Sequence, residues 1–157
     1  YTSVSEICRA LVWATERNAD VVNLSLHADP RDPRIRDLYS ACETACARGV
    51  VIVAASEGAP CYPASFDNVI AVGRGSQRNP FEFDYRRDSL VEITASCGID
   101  GYVVGRSGEE LPADGVSYCA PVVSGLVALL RERYPGMPLT DIRCVLEGIS
   151  RNHRFAA

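Results

Sequence analysis

Val50-Val51-Ile52-Val53-Ala54-Ala55 is apolar throughout, and this constrains the fold more than any other stretch. A short extended segment with no polar face has to be covered on both sides, as the strands of a parallel sheet are. Val69-Ile70-Ala71-Val72 reads the same way, and Val21 to Leu26 reads as a third buried strand. The intervening segments have a different period. Val4, Ile7, Cys8, Leu11 and Val12 recur at helical spacing, which predicts an amphipathic helix to about Asn18. Ile35, Leu38, Tyr39, Cys42 and Cys46 predict a second helix, ended by Arg48-Gly49. Strands alternating with helices indicate an α/β fold: three layers, a mainly parallel sheet flanked by helices, with right-handed crossovers. A chain of 157 residues, 47% apolar and 23% charged, suffices for one such domain.

Beyond Val72 the pattern is less regular. Arg74 to Asp88 reads as a charged surface excursion pinned by Phe81, Phe83 and Tyr85, and Leu90 to Ala95 as another strand. Gly101 to Gly105 resembles a short edge strand, and Arg106 to Ala113 a turn. A long helix then runs to Leu130–Tyr134. Pro135-Gly136-Met137-Pro138 breaks it, and Thr140 is the expected cap of a last helix reaching Ile149. There is no internal repeat and no linker, so residues 1–150 form one domain and 151–157 a frayed tail.

Charge and composition exclude several functions. The net charge of −4 provides no basic face for neutralising phosphates, so no nucleic-acid partner is expected. The longest near-apolar run, Ala120 to Leu130, is too short to cross a bilayer, and no membrane partner is expected. Neither a G-x-G-x-x-G nor a Walker-type motif occurs, and no cofactor is expected. Asp29, Asp32 and Asp37 are spread over a loop and a helix start, a pattern of capping rather than of a metal cage. Seven cysteines without zinc-knuckle spacing read as free thiols, several of them on apolar helix faces, in a reducing, cytoplasmic compartment. A chain that opens on Tyr1 in mid-pattern, without a signal peptide, reads as a piece or a processed product.

Asp114-Gly115-Val116-Ser117-Tyr118-Cys119-Ala120-Pro121 carries the candidate chemistry. Proline is tolerated in the first turn of a helix because amides there lack intrahelical partners. Pro121 therefore places Ser117 at or beside a helix N-terminus, where free N–H groups and the dipole favour negative charge. A serine nucleophile in acyl transfer needs such a place for its oxyanion. The octapeptide alone reads first as a plain serine N-cap on a buried helix, ahead of a nucleophile.

Four blocks, taken together, resemble the subtilisin-like serine peptidases. Gly115-Val116-Ser117-Tyr118-Cys119-Ala120-Pro121-Val122-Val123-Ser124-Gly125 is similar to that family's nucleophile motif, G-T-S-x-A-x-P-x-V-x-G. Ala19 to Leu26 is similar to its substrate-binding strand, and Gly49 to Ala55 and Tyr62 to Gly73 to its next two strands. The resemblance implies a subtilisin-like fold of which this chain is the C-terminal part. It implies Ser117 as the catalytic nucleophile, and Asn23, Leu24, Ser25, Leu26, His27, Ala54, Ala55 and Ser56 as the substrate-binding residues. A peptide or protein would be the substrate, with the side chain before the scissile bond entering a space lined by Ala54, Ala55 and Ser25.

The chain also departs from the family pattern. The family's aspartate and histidine motifs are absent; His27 stands where glycine is usual, and His153 lies in the expected tail. Ser56-Glu57-Gly58 replaces the segment whose asparagine holds the oxyanion, and Val116 replaces a threonine. A carboxylate at Glu57 would oppose developing negative charge. Two functions follow. In one, the chain is part of a serine endopeptidase whose Asp and His come from a preceding segment or a second chain, and it is inactive alone. In the other, it is an inactive pseudopeptidase that binds a peptide or protein partner.

Overall fold

The computed structural model describes residues 2–58, 60–79, 81–104 and 107–154. Helix α1 (Val4–Glu16) opens on a capping box: Ser3 Oγ accepts from the Glu6 amide, and the Glu6 carboxylate accepts from the Ser3 amide. Strand β1 (Val21–Leu24), helix α2 (Ile35–Ala47), strand β2 (Val51–Ala55) and strand β3 (Val69–Arg74) follow. Gly49 ends α2 at φ +86°, a conformation that favours glycine, and its amide donates to the Cys46 carbonyl.

Strands β1, β2 and β3 are parallel neighbours, as their unbroken apolar character predicts. The sheet is completed by β4 (Phe83–Tyr85) and β5 (Ile93–Ala95). Its order is β1-β2-β3-β5-β4, with β4 antiparallel at one edge and β1 at the other. Strand β2 shows why it has no polar face. Val51, Val53 and Ala55 pack on one side with residues of α3 (Cys119–Arg133) and α4 (Leu139–Ile149), and Ile52 and Ala54 pack on the other with α1 and α2. The three-layer, mainly parallel architecture is therefore observed.

Several local expectations change. Residues 110–114 are not part of a turn. They form β7 (Glu110–Asp114), which pairs antiparallel with β6 (Gly98–Val104) in a separate two-stranded sheet. The excursion after β3 is tied down by Phe83 and Tyr85, which are buried, while Phe81 is 74% exposed. Thr140 lies inside α4 and does not cap it; Pro138 holds the N-cap position. Residues 151–154 are not frayed. They form α5 (Arg151–Arg154), and Asn152 both accepts from the Tyr85 amide and donates to its carbonyl. Residues 155–157 of the predicted tail lie outside the described residues.

The cysteines also differ from expectation. Cys97 and Cys119 are joined as a disulfide, Cα atoms 4.6 Å apart. Of the cysteines expected on apolar helix faces, Cys8, Cys42, Cys46 and Cys144, Cys42 is buried and Cys8 and Cys46 half-buried, but Cys144 is exposed. Among the described residues no helix is long and apolar enough to cross a membrane.

Candidate active site

Ser117 lies in a single 3-10 turn, Val116–Tyr118, between β7 and α3. The turn is closed by the Tyr118 amide donating to the Gly115 carbonyl at 3.0 Å. Pro121 occupies the third position of α3, where it costs no intrahelical bond. Ser117 is exposed and Tyr118 half-buried, whereas Cys119 and Ala120, which follow, are fully buried. The buried pair and the Cys97 disulfide anchor the helix start beneath a solvent-facing serine.

The segments that leave the carboxyl ends of β1 and β2 converge on this turn, where ligands sit in open α/β sheets. Ser25 Oγ donates to the main-chain carbonyl of Ser117 at 2.9 Å, and Asn23 Nδ2 donates to Ser25 Oγ at 3.0 Å. Leu24 is buried and Leu26 half-buried against the α1–α2 side of the core. His27 is half-buried, and the next amide, Ala28, donates to the Tyr62 carbonyl at 2.8 Å. His153 is on α5, 3.5 Å from the Glu147 carboxylate. Asp29 is held by Arg31, whose guanidinium lowers its carboxyl below the ordinary value.

Ala54 and Ala55 are both buried and point to opposite faces of the sheet, so their side chains lie in the two halves of the core. Ser56, 2% exposed, donates its amide to the Val72 carbonyl at 2.8 Å. With Glu57 and Gly58 it lines a cavity of about 430 Å³ that also meets Gly73, Gly115 and Val116. The cavity thus joins the segment after β2 to the approach to Ser117. Cys61, which donates its thiol to the Ala55 carbonyl at 3.8 Å, is pushed above the ordinary thiol value by burial and then by the negative charge of Glu57.

Sequence reasoning missed two features beside Ser117. One is the Cys97–Cys119 disulfide, whose partners are 22 residues apart and carry no spacing signal. The other is Ser124, on the second turn of α3, with Oγ 3.0 Å from Asn23 Oδ1. A polar Asn in an otherwise apolar strand was the available clue. Among the described residues no cluster of three or more His, Cys, Asp or Glu is placed to hold a metal ion.

The profile of the Subtilase family matches residues 2–152. Subtilisin DY from Bacillus licheniformis is 31% identical over 157 residues, covering 94% of this chain and 56% of its own length. Subtilisin Savinase from Lederbergia lenta is 32% identical over 146 residues, covering 90% of this chain and 52% of its own length. The chain therefore spans about half the length of these relatives. Among solved structures, Sphericase superposes with a TM-score of 0.63 at 24% identity, over 92% of this chain and 53% of that one. The Epidermin Leader Peptide Processing Serine Protease (EpiP) from Staphylococcus aureus gives 0.64 at 17% identity, over 93% and 48%. At those identities the two structures establish the subtilisin-like fold alone. The profile match over nearly the whole chain establishes the lineage: this chain belongs to the Subtilase family, the subtilisin-like serine peptidases.

Proposed function

We propose that the chain is the C-terminal portion of a subtilisin-like serine endopeptidase domain, with Ser117 as the nucleophile that attacks the scissile carbonyl. The observation that carries this reading is the exposed Ser117 on a turn at the amino end of α3, directly after Gly115 and Val116, which line a cavity at the carboxyl ends of the strands. The chain holds two histidines, and its family motif lacks the aspartate and histidine blocks. A preceding segment or a second chain supplies them; without a base the Ser117 hydroxyl stays protonated and weakly nucleophilic. Peptide substrate lies along Asn23–Leu26 as an added strand. Ser56 borders the groove, with His27 after β1; Ala54 and Ala55, expected to line it, do not, because their side chains are buried in the two halves of the core.

The test is labelling of the intact protein, together with the segment or chain that carries the aspartate and histidine, with a fluorophosphonate, beside a Ser117→Ala control. Labelling that depends on Ser117 supports the peptidase. Its absence from a folded protein sinks that reading and supports the second one, a pseudopeptidase that holds a peptide without cutting it. The presence of Glu57 on the cavity wall favours this alternative, because a carboxylate there opposes an oxyanion. We further propose that the residue before the scissile bond is bulky and apolar; a peptide panel varied only there reads this in either case, and equal binding of glycine and leucine versions would remove it.

A further inference from the structure

In an α-helix the carbonyl of residue i accepts the amide of residue i+4. For Ser117 that residue is Pro121, which has no N–H. Ser117 precedes the Tyr118 N-cap, and its carbonyl instead accepts from the Ser25 hydroxyl, just past the end of β1, at 2.9 Å. Ser25 does not act alone. Asn23 Nδ2 donates to Ser25 Oγ at 3.0 Å, and Ser124 Oγ lies 3.0 Å from Asn23 Oδ1 and 2.9 Å from the Ala120 carbonyl, sharing its one proton between them.

The polarity of this chain is set by the Asn23 amide. Its oxygen faces a hydroxyl donor on α3 and its nitrogen occupies a lone pair of Ser25, leaving the Ser25 proton to the Ser117 carbonyl. Strand geometry places the relay: Val21 packs towards α3, and Asn23, two residues on, faces the same side. The relay starts and ends on the segment 117–124 and passes through the end of β1, so it closes a loop between the candidate nucleophile and the edge strand.

We propose that Ser25 is a positioning residue for Ser117, oriented by Asn23 and Ser124, and that this relay holds the 3-10 turn in the geometry that presents the Ser117 hydroxyl. Its kinetic arm rests on the proposed nucleophilic role of Ser117; its structural arm does not. Four proteins are compared: wild type, S25A, S25T and N23D. The carboxylate of N23D accepts but cannot donate, so it draws the Ser25 proton away from Ser117 with little change in volume.

Hydrogen exchange of the Tyr118 amide reads the turn directly. S25A and N23D are expected to speed it about five- to tenfold, the value of one hydrogen bond, while S25T stays near wild type. Exchange in α2 reports global stability and is expected to be unchanged; if S25A disturbs it, N23D decides. Where the wild type is labelled by a fluorophosphonate, the maximal inactivation rate falls by the same factor in S25A and N23D. Unchanged Tyr118 exchange in both variants overturns the relay. Faster exchange with no labelling of the wild type, in the presence of the segment or chain that carries the aspartate and histidine, leaves the relay standing and removes the nucleophilic role instead.

Discussion

Arg131 Nη2 lies 2.7 Å from the main-chain carbonyl of Gly49, so α3 is tied to the turn that begins β2. Nη1 of the same guanidinium donates to the Met137 carbonyl at 2.8 Å. Arg131 is 8% exposed, whereas its ion-pair partner Asp20 is 65% exposed, so the two carbonyls matter more than the carboxylate. Arg131→Met should leave both carbonyls unpaired and lower stability by about 2–4 kcal/mol, measured by urea unfolding. Asp20→Asn should change it by less than about 1 kcal/mol.

The edge strand β4 is held by α5. Asn152 makes two hydrogen bonds to the Tyr85 main chain, at 2.9 and 2.7 Å. Asn152→Ala should cost about 1–3 kcal/mol and expose the Tyr85 amide, which hydrogen exchange would show as a local loss of protection at β4.

The neighbouring ion pair sets a pH dependence. Arg151, first, and then Gln77 hold the Asp84 carboxyl below its ordinary value of 3.8. A carboxyl lowered in the folded state contributes stability that is fully present above its unfolded value and is lost as pH falls through the folded one. The stability gap between wild type and Asp84→Asn should therefore be constant from neutral pH to about pH 5 and close below pH 4. Urea midpoints at pH 7, 4 and 3 would check this; a gap that widens on acidification contradicts the pairing.

The thiols should react in a fixed order. Burial pushes the Cys42 thiol up to about 12, while Cys144 is exposed. Alkylation at pH 8 followed by peptide mass spectrometry should modify Cys144 in the native protein and Cys42 only on unfolding. Cys97 and Cys119 should become reactive together, and only after reduction.

Gly73 lines the cavity beside the Ser117 turn with no room to spare. A Cβ there would stand 2.6 Å from Val91 Cγ1 and 3.2 Å from the Ser56 carbonyl. Gly73→Ala should cost about 1–3 kcal/mol, and adding Val91→Ala should recover much of it, a coupling measurable in a double-mutant cycle by thermal unfolding.

The fold was most legible where burial is two-sided. Runs such as Val50–Ala55 and Val69–Val72 leave an apolar segment only one kind of place, and the 3.6-residue period of α1 and α2 shows which faces cover them. Ser117 was legible as a helix-start serine because Gly115 and Pro121 bracket it. Its surroundings were not. Strand β7 is written Glu-Leu-Pro-Ala-Asp, a composition that reads as a turn until β6 pairs with it. Arg151 and Asn152 look like an unanchored end because their partners, Asp84 and Tyr85, are 67 residues away.

By itself the amino-acid sequence determined the alternation of buried strands and amphipathic helices, the parallel sheet, and a serine at the amino end of α3, since local period and turn chemistry act between near neighbours. Only the tertiary structure decided that Ser25 donates to Ser117, that Ser124 orients Asn23, and that Cys97 meets Cys119. Hydrogen bonds and disulfides between distant segments depend on how strands and helices dock, and residue spacing along the chain carries no record of it.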